Sequence, residues 1–193
     1  MIRRLLLAAS LAIPLCSLAA LPIPPEVAAR SYVVFDAQSG QTLAGANADT
    51  RIEPASLTKL MTAYLSFKAV KEGRLKLDQQ LPVSVKAWKS EGSRMFLDIK
   101  VPAKVDDLLK GVIVQSGNDA CVVLAEAIAG SEEAFAVMMN AQAQKMGLAN
   151  THFANSAGLP DAQQYTTAND LVKLSQAIIR DFPEFYPIYA MKS

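Results

Sequence analysis

The sequence has 193 residues, of which 51% are apolar and 19% are charged, with a formal net charge of +1 at pH 7. This length and apolar content suffice for one globular domain and exclude a disordered or fibrous chain. The balanced charge, without a basic cluster, argues against nucleic acid as a partner, and a single histidine with two cysteines provides no His/Cys metal site.

A leader segment is the first element that the pattern predicts. Two arginines precede an apolar run over residues 5–18 that is followed by small residues, which is typical of a secretory signal peptide. The run is too short to span a membrane comfortably and Pro14 interrupts it, so cleavage is favoured over a retained anchor. We therefore predict a signal peptide over residues 1–20, an extended proline-rich linker over residues 21–29, and export of the remaining chain.

A hairpin and a helix are predicted next along the chain. Residues 31–36 are rich in β-forming side chains, residues 37–40 suit a turn, and residues 41–46 return as a second strand. A helix is predicted over residues 54–70, because its first turn contains a proline and its apolar residues recur at helical spacing. The stripe that we expect to be buried consists of Leu57, Leu60, Met61, Tyr64 and Leu65.

Ser56 and Lys59 lie one turn apart at the start of this helix. Residues three apart share a helix face, with Cβ atoms about 5–6 Å from each other, so the amine can reach the hydroxyl. A lysine activates a serine only when burial or nearby positive charge lowers the pKa of the amine, and both the apolar stripe and the helix N-terminus favour this. Because a Ser-x-x-Lys pair occurs by chance roughly once in a chain of this length, it predicts a catalytic pair only together with other motifs.

The Ser-Gly-Asn sequence at residues 116–118 interrupts two apolar segments that are predicted as helices over residues 105–114 and 119–129. These residue types are favoured in any helix-to-helix turn. The functional alternative is that two buried helices hold the Ser116 hydroxyl and the Asn118 amide at a cleft.

Further strands and helices complete the pattern. Short strands are predicted within residues 75–85 and over residues 95–101, and Trp88 between them is expected to pack over an edge of the core. Two more helices are predicted over residues 131–146 and 166–180, since each begins with a capping serine or threonine.

Histidine is a weak candidate for the base. His152 is the one histidine, it lies in a strand-like stretch, and no Gly-x-Ser-x-Gly elbow accompanies it. The base is therefore expected to be a lysine. Cys121, the single cysteine left once the leader is removed, is interpreted as a small buried hydrophobe, and no intrachain disulfide is predicted.

Three sequence blocks resemble the low-molecular-mass D-alanyl-D-alanine carboxypeptidases of bacterial cell walls, the peptidase S11 branch of the serine penicillin-binding and β-lactamase superfamily. They are Pro-Ala-Ser-Leu-Thr-Lys-Leu-Met-Thr at residues 54–62, Lys-Gly-Val-Ile-Val-Gln-Ser-Gly-Asn-Asp-Ala-Cys at 110–121, and Tyr-Thr-Thr-Ala-Asn-Asp-Leu at 165–171. The resemblance covers about residues 30–192. It implies an α+β fold of the β-lactamase/transpeptidase type, in which a helical cluster packs on an antiparallel sheet that is incomplete in this chain.

The resemblance also implies a mechanism and a location. Ser56 would attack the D-Ala-D-Ala carbonyl of a peptidoglycan stem pentapeptide and carry the acyl group as an ester, and Lys59 would accept its proton. Ser116 and Asn118 would relay protons and position the substrate, and the Ser56 N–H would supply half of the oxyanion hole. β-Lactams would acylate Ser56 and inhibit the enzyme. No metal or cofactor is implied, and the expected location is the periplasm or the envelope side of the bacterial inner membrane.

Two departures from the family pattern are visible. The third motif, Lys-Thr-Gly on an edge strand, is expected beyond Ser193, since the terminal Lys-Ser is interpreted as accidental. Residues 30–193 are therefore expected to form the N-terminal portion of the peptidase domain, without the second oxyanion donor, the C-terminal β-rich domain or the membrane-binding helix of many relatives. The second departure is Ala157, where some relatives carry a histidine.

Three alternatives stay open at this point. A class A β-lactamase is disfavoured, because that class usually has Ser-Asp-Asn in the second motif and a glutamate that activates water, and residues 155–165 contain no glutamate. A D,D-endopeptidase of the same family would share the same motifs. The third alternative is a truncated or degenerate chain that binds wall peptides without catalysis.

Overall fold

The computed structural model describes residues 27–192. The predicted signal peptide and residues 21–26 of the predicted linker lie outside the described residues. Residues 27–29, the rest of that linker, have no regular secondary structure. Within residues 27–192, no helix combines the length and the apolar character needed to cross a bilayer.

The described residues form an α+β fold, as predicted, with six α-helices and two separate two-stranded antiparallel sheets. The strands are β1 (Tyr32–Asp36), β2 (Gln41–Ala46), β3 (Gln80–Leu81) and β4 (Ala103–Lys104). The helices are α1 (Lys59–Lys71), α2 (Val85–Trp88), α3 (Val105–Val114), α4 (Asn118–Ala129), α5 (Glu132–Lys145) and α6 (Ala168–Asp181). Short 3-10 helices cover Ala55–Thr58 and Tyr186–Ala190.

Helix α1 is the central element of the helical core. It packs against α3, α4, α5 and α6, and Met61 and Phe67 are fully buried along it. The Phe67 ring stacks on Phe185 with centroids 4.6 Å apart. Each such side chain stabilises the fold by about 1.5–3 kcal/mol through apolar burial. Helix α1 is therefore fixed rigidly enough to position the 3-10 helix that directly precedes it.

The predicted hairpin is present and lies beside α6. Strands β1 and β2 pair antiparallel, with a register shift between Val34 and Phe35, and β1 contacts α6. The turn is held by Asp36, whose carboxylate accepts hydrogen bonds from the Gln38 N–H and the Ser39 hydroxyl. The hairpin is therefore the sheet layer that covers the α6 side of the helical core.

Two side chains depart from the predicted burial. Leu57 belongs to the stripe predicted as buried but is 50% exposed, because residues 55–58 form a 3-10 helix whose tighter winding turns it away from the face that α1 buries. Trp88 is also exposed rather than packed over a core edge, since it ends the short helix α2 on the surface.

No strand forms over residues 95–101, although the sequence pattern predicts one there. The backbone N–H groups of Met95 and Leu97 donate instead to the buried carboxylate of Asp119, at 2.9 and 3.1 Å. A side chain therefore replaces the partner strand that a β-ladder would require, and the segment becomes a loop fixed to α4.

Candidate active site

Ser56 lies in the 3-10 helix that leads into α1, and its side chain is exposed. The preceding residue, Ala55, has a φ of 46°, a left-handed conformation that costs a non-glycine residue about 1–3 kcal/mol. Such strain persists only where the surrounding structure enforces it. The rigid helix on one side and the strained residue on the other therefore hold the Ser56 hydroxyl at a fixed place on the surface.

Lys59 is the first residue of α1 and is only 6% exposed. Its Nζ donates to the Ser56 Oγ at 3.2 Å and to the backbone carbonyl oxygen of Ala157 at 2.8 Å. The contact expected from the three-residue spacing is therefore present. The second contact could not be expected from the sequence, because a backbone carbonyl leaves no residue-type signal.

Burial lowers the pKa of the Lys59 amine, because a charged ammonium loses hydration in this environment. A negatively charged Cys121 thiolate on α4 would act in the opposite direction and raise the pKa of Lys59. Burial, however, raises the pKa of Cys121 to about 12, so the thiol is neutral at physiological pH. A neutral amine at this position can donate an N–H to the Ala157 carbonyl and accept the Ser56 proton with its lone pair. A general base requires this arrangement.

Ser116 lies between α3 and α4 and opens into the same cleft as Ser56 and Lys59. The cleft has a volume of about 560 Å³. It is lined by Pro54, Ala55, Ser56, Leu57, Lys59, Leu60, Val112, Ile113, Ser116 and Tyr189. Ser116 has a φ of 58°, so a second strained non-glycine residue lines this cleft beside Ala55. Strained backbone tends to cluster at functional sites.

Asn118 is not among the residues that line the cleft. It begins α4 and is buried, its Nδ2 donates to the carbonyl of Glu91 at 2.6 Å, and its backbone N–H donates to the carbonyl of Ser93 at 2.8 Å. Its Oδ1 is buried and has no hydrogen-bond partner among residues 27–192. The structure thus brings three of the four predicted site residues to one cleft and uses the amide of the fourth to hold the adjacent segment.

His152 lies elsewhere. Its Nδ1 is 2.8 Å from the carbonyl oxygen of Gln163, and its side chain borders a different surface depression together with Val137 and Asn140. The geometry therefore places Lys59, and not His152, beside Ser56. In the part of the chain that the structure describes, no three His, Cys, Asp or Glu side chains gather closely enough to hold a metal ion.

The loop over residues 155–159 packs against the turn that carries Ser56 and contacts Lys59. The Asn155 Oδ1 accepts hydrogen bonds from the backbone N–H groups of Gly158 and Leu159, at 2.7 and 3.0 Å, which folds the loop into a tight turn. Gly158 has a φ of 88°, and a Cβ atom there would overlap the carbonyl oxygen of Ala55. The loop therefore packs backbone to backbone against the residue before Ser56 and directs the Ala157 carbonyl at Lys59.

Replacing Asp119 with alanine is expected to lower the free energy of unfolding by about 1–3 kcal/mol, because it leaves the N–H groups of Met95 and Leu97 without acceptors. Urea unfolding measures this loss, and amide hydrogen exchange should increase over residues 91–101. Asp98→Ala is the matched control, since Asp98 is exposed in the same loop and, among residues 27–192, its carboxylate accepts a hydrogen bond only from the nearby Lys100 N–H. Equal stability of the two variants would contradict the anchoring role of Asp119.

The sequence is similar to those of known proteins. The sequence model of the D-alanyl-D-alanine carboxypeptidase family, peptidase S11, matches residues 19–193. D-alanyl-D-alanine carboxypeptidase DacC of Escherichia coli is 44% identical over 174 residues, which cover 87% of this chain and 44% of that protein. The D-alanyl-D-alanine endopeptidase of Pseudomonas aeruginosa is 34% identical over 167 residues, which cover 86% of this chain and 52% of that protein.

A solved structure shows the same architecture. Penicillin-binding protein 5 of Haemophilus influenzae superposes with a TM-score of 0.85 at 43% identity, over 88% of this chain and 50% of that one. The predicted β-lactamase-like fold class is thereby confirmed. The chain spans about half the length of the relatives it matches.

Proposed function

The chain belongs to the peptidase S11 family of D-alanyl-D-alanine carboxypeptidases, and on that premise we propose that it acts as a serine-type carboxypeptidase on peptidoglycan stem pentapeptides. The reaction removes the terminal D-alanine. The observation that carries the proposal is the buried Lys59 amine, with a lowered pKa, at 3.2 Å from the exposed Ser56 hydroxyl.

In the proposed acylation step, the neutral Lys59 amine accepts the proton of the Ser56 hydroxyl as the oxygen attacks the carbonyl carbon between the two D-alanines. The tetrahedral oxyanion is stabilised by the backbone N–H of Ser56. The intermediate collapses when the C–N bond breaks and the departing D-alanine amine takes up a proton, which leaves an ester on Ser56. Water then attacks the ester carbonyl carbon, the C–O bond to Ser56 breaks, the shortened peptide leaves as a carboxylic acid, and the Ser56 oxygen regains its proton.

We assign supporting roles to the second motif. Ser116 shares the cleft with Ser56, which supports our assigning it the transfer of the proton from Lys59 to the leaving amine. Asn118 is assigned to substrate positioning through the segment over residues 91–93, whose carbonyls its Nδ2 and backbone N–H hold. We assign residues 30–193 to the N-terminal portion of the serine peptidase domain. This substrate implies an extracytoplasmic location, which the signal peptide predicted over residues 1–20 supports.

A D,D-endopeptidase activity is the second candidate, because the Pseudomonas aeruginosa relative carries that name. The two activities share the acyl-enzyme and differ in the group that leaves. Free D-alanine released from a pentapeptide identifies the carboxypeptidase, whereas monomers released from a cross-linked peptide dimer identify the endopeptidase.

The deciding experiment is acylation by a penicillin, followed by intact-protein and peptide mass spectrometry. We expect one adduct per chain, with the mass of the whole penicillin because ring opening expels no group, on the peptide that contains Ser56. The same penicillin after hydrolysis of its lactam is the control and should leave no adduct. An adduct on another residue would contradict the nucleophile assignment, and no adduct would favour the non-catalytic wall-peptide-binding alternative.

A further inference from the structure

Glu132, at the start of α5, makes contacts that capping alone does not explain. Its side chain is 12% exposed. Its Oε1 accepts hydrogen bonds from both the hydroxyl and the backbone N–H of Ser156, at 2.6 and 3.1 Å, and its Oε2 lies 2.9 Å from the Nζ of Lys86. One carboxylate therefore ties α5 to α2 and to the loop over residues 155–159.

Ser156 is the residue immediately before the carbonyl that contacts Lys59. Its own carbonyl accepts a hydrogen bond from the Thr62 hydroxyl of α1 at 2.6 Å, and the next carbonyl, that of Ala157, accepts from the Lys59 Nζ at 2.8 Å. Glu132 thus holds the hydroxyl and N–H of Ser156, and α1 holds the carbonyls of Ser156 and Ala157. Each of these groups is buried or partly buried, so none of the bonds is exchanged freely with water.

We propose that Glu132 is a positioning residue for the Lys59 amine, acting through Ser156 and the Ala157 carbonyl. The inference rests on the proposed function of Ser56 and Lys59, and it adds a residue from a helix that contributes nothing to the lining of the cleft. With the loop fixed, one N–H of Lys59 is committed to Ala157 and the remaining lone pair is aimed at the Ser56 hydroxyl. With the loop free, the amine can turn away and water can reach it.

The charge state of Glu132 fits this role. Burial acts to raise the pKa of the Glu132 carboxyl, but hydrogen bonds from Ser156 and Lys86 outweigh it, so the pKa is lowered. Glu132 is therefore ionised at neutral pH. Charge-assisted hydrogen bonds to a carboxylate are shorter and stronger than neutral ones, which suits an anchor for a loop.

Glu133 is a matched control that the chain itself provides. It is adjacent to Glu132 in the first turn of α5, and it also pairs with Lys86, at 2.6 Å. Its side chain is 77% exposed, and it makes no hydrogen bond to Ser156 among the described residues. Removing Glu133 therefore tests the loss of an acid at this helix end without touching the loop.

The first measurement is the rate constant of Ser56 acylation by a penicillin. We expect Glu132→Ala to slow it by about 10- to 100-fold, since a misplacement of about 1 Å in a reacting group can cost that much, while the final adduct stoichiometry stays at that of the wild type. Glu133→Ala should stay within about twofold. Glu132→Gln keeps an acceptor oxygen for Ser156 but loses the Lys86 ion pair, and it should recover most of the rate.

The second measurement is independent of turnover. In a chain labelled with [13C]lysine, the Cε shift of Lys59, assigned with Lys59→Met, gives the pKa of the amine by NMR titration. The groups facing this amine are the Ser56 hydroxyl, the Ala157 carbonyl and the Cys121 thiol, none of which is charged at neutral pH. Burial lowers the pKa of Lys59, so a loosened loop that admits water should raise it in Glu132→Ala and leave it unchanged in Glu133→Ala.

The two measurements separate this inference from the proposed function. A wild-type chain that forms no adduct would refute the proposed function, and the titration would still decide the role of Glu132. A Lys59 pKa that is the same in Glu132→Ala and in the wild type would overturn the inference even if acylation is slowed. A raised pKa that Glu132→Gln restores would support it.

Discussion

Replacement of Lys59 with methionine is expected to slow acylation of Ser56 by a penicillin about 10²- to 10⁴-fold, the range typical for loss of a general base. Methionine is unbranched and apolar, so it can fill the buried site without leaving an unpaired charge. The Ser56 hydroxyl then keeps its place and loses its proton acceptor. Stopped-flow or quenched labelling measures the rate constant, and thermal unfolding checks that the fold is retained.

Lys59→Arg separates proton transfer from simple positive charge at the same position. Arginine stays protonated in proteins, so a base role predicts a slow rate for this variant too, whereas a purely electrostatic role predicts near wild-type acylation. Lys68→Met, a partly exposed residue on the same helix, is the control and should acylate normally. Rates within tenfold of the wild type in both Lys59 variants would rule out Lys59 as the base.

The pH dependence of wild-type acylation has a defined sign. The reactive form is the neutral amine, so acylation should be slow at pH values below the pKa of Lys59. The rate should rise as the pH passes through that pKa. Because burial lowers the pKa of Lys59, this rise should come at a lower pH than an ordinary lysine would give. The rise should be absent in Lys59→Met.

The helices and the Ser56–Lys59 contact could be predicted from sequence because both depend on local spacing. Helix α3 and helix α6 follow apolar periodicity and capping residues that lie within their own segments. The distance from Ser56 to Lys59 follows from one turn of helix. Sequence spacing alone does not predict that Ser116 lies in the same cleft, because its position depends on tertiary contacts. That prediction came from the family resemblance.

The parts that were wrong or missed depend on contacts between distant segments. The strand predicted over residues 95–101 is a loop, because Asp119, more than twenty residues away, takes the hydrogen bonds that a partner strand would make. Glu132 shows only a capping pattern in the sequence, although its carboxylate reaches Ser156. The Ala157 carbonyl belongs to the backbone, so no residue type signals its role.

Replacement of Gly158 with alanine is expected to destabilise the fold by about 2–5 kcal/mol, the sum of backbone strain and steric overlap, and to impair acylation. The left-handed φ of 88° costs alanine about 1–2 kcal/mol, and the added Cβ meets the carbonyl of Ala55, which is backbone and cannot rotate away as a side chain would. Either the loop must retreat, taking the Ala157 carbonyl from Lys59, or the turn that carries Ser56 must shift. Both movements disturb the pair at the cleft, so the effect on the acylation rate should exceed that of a purely global loss of stability.

Gly73→Ala isolates the overlap from the backbone strain. Gly73 has a φ of 73°, and apart from its chain neighbours no atom of residues 27–192 lies within 4 Å of the place that an added Cβ would occupy. Alanine there therefore suffers the strain alone and should cost about 1–2 kcal/mol with no change in acylation. Urea unfolding and penicillin acylation of both variants are compared below their unfolding transitions. If Gly158→Ala acylates as fast as Gly73→Ala, the close approach of this loop to the Ser56 turn does not hold the catalytic pair, and the positioning of Lys59 must come from α1 alone.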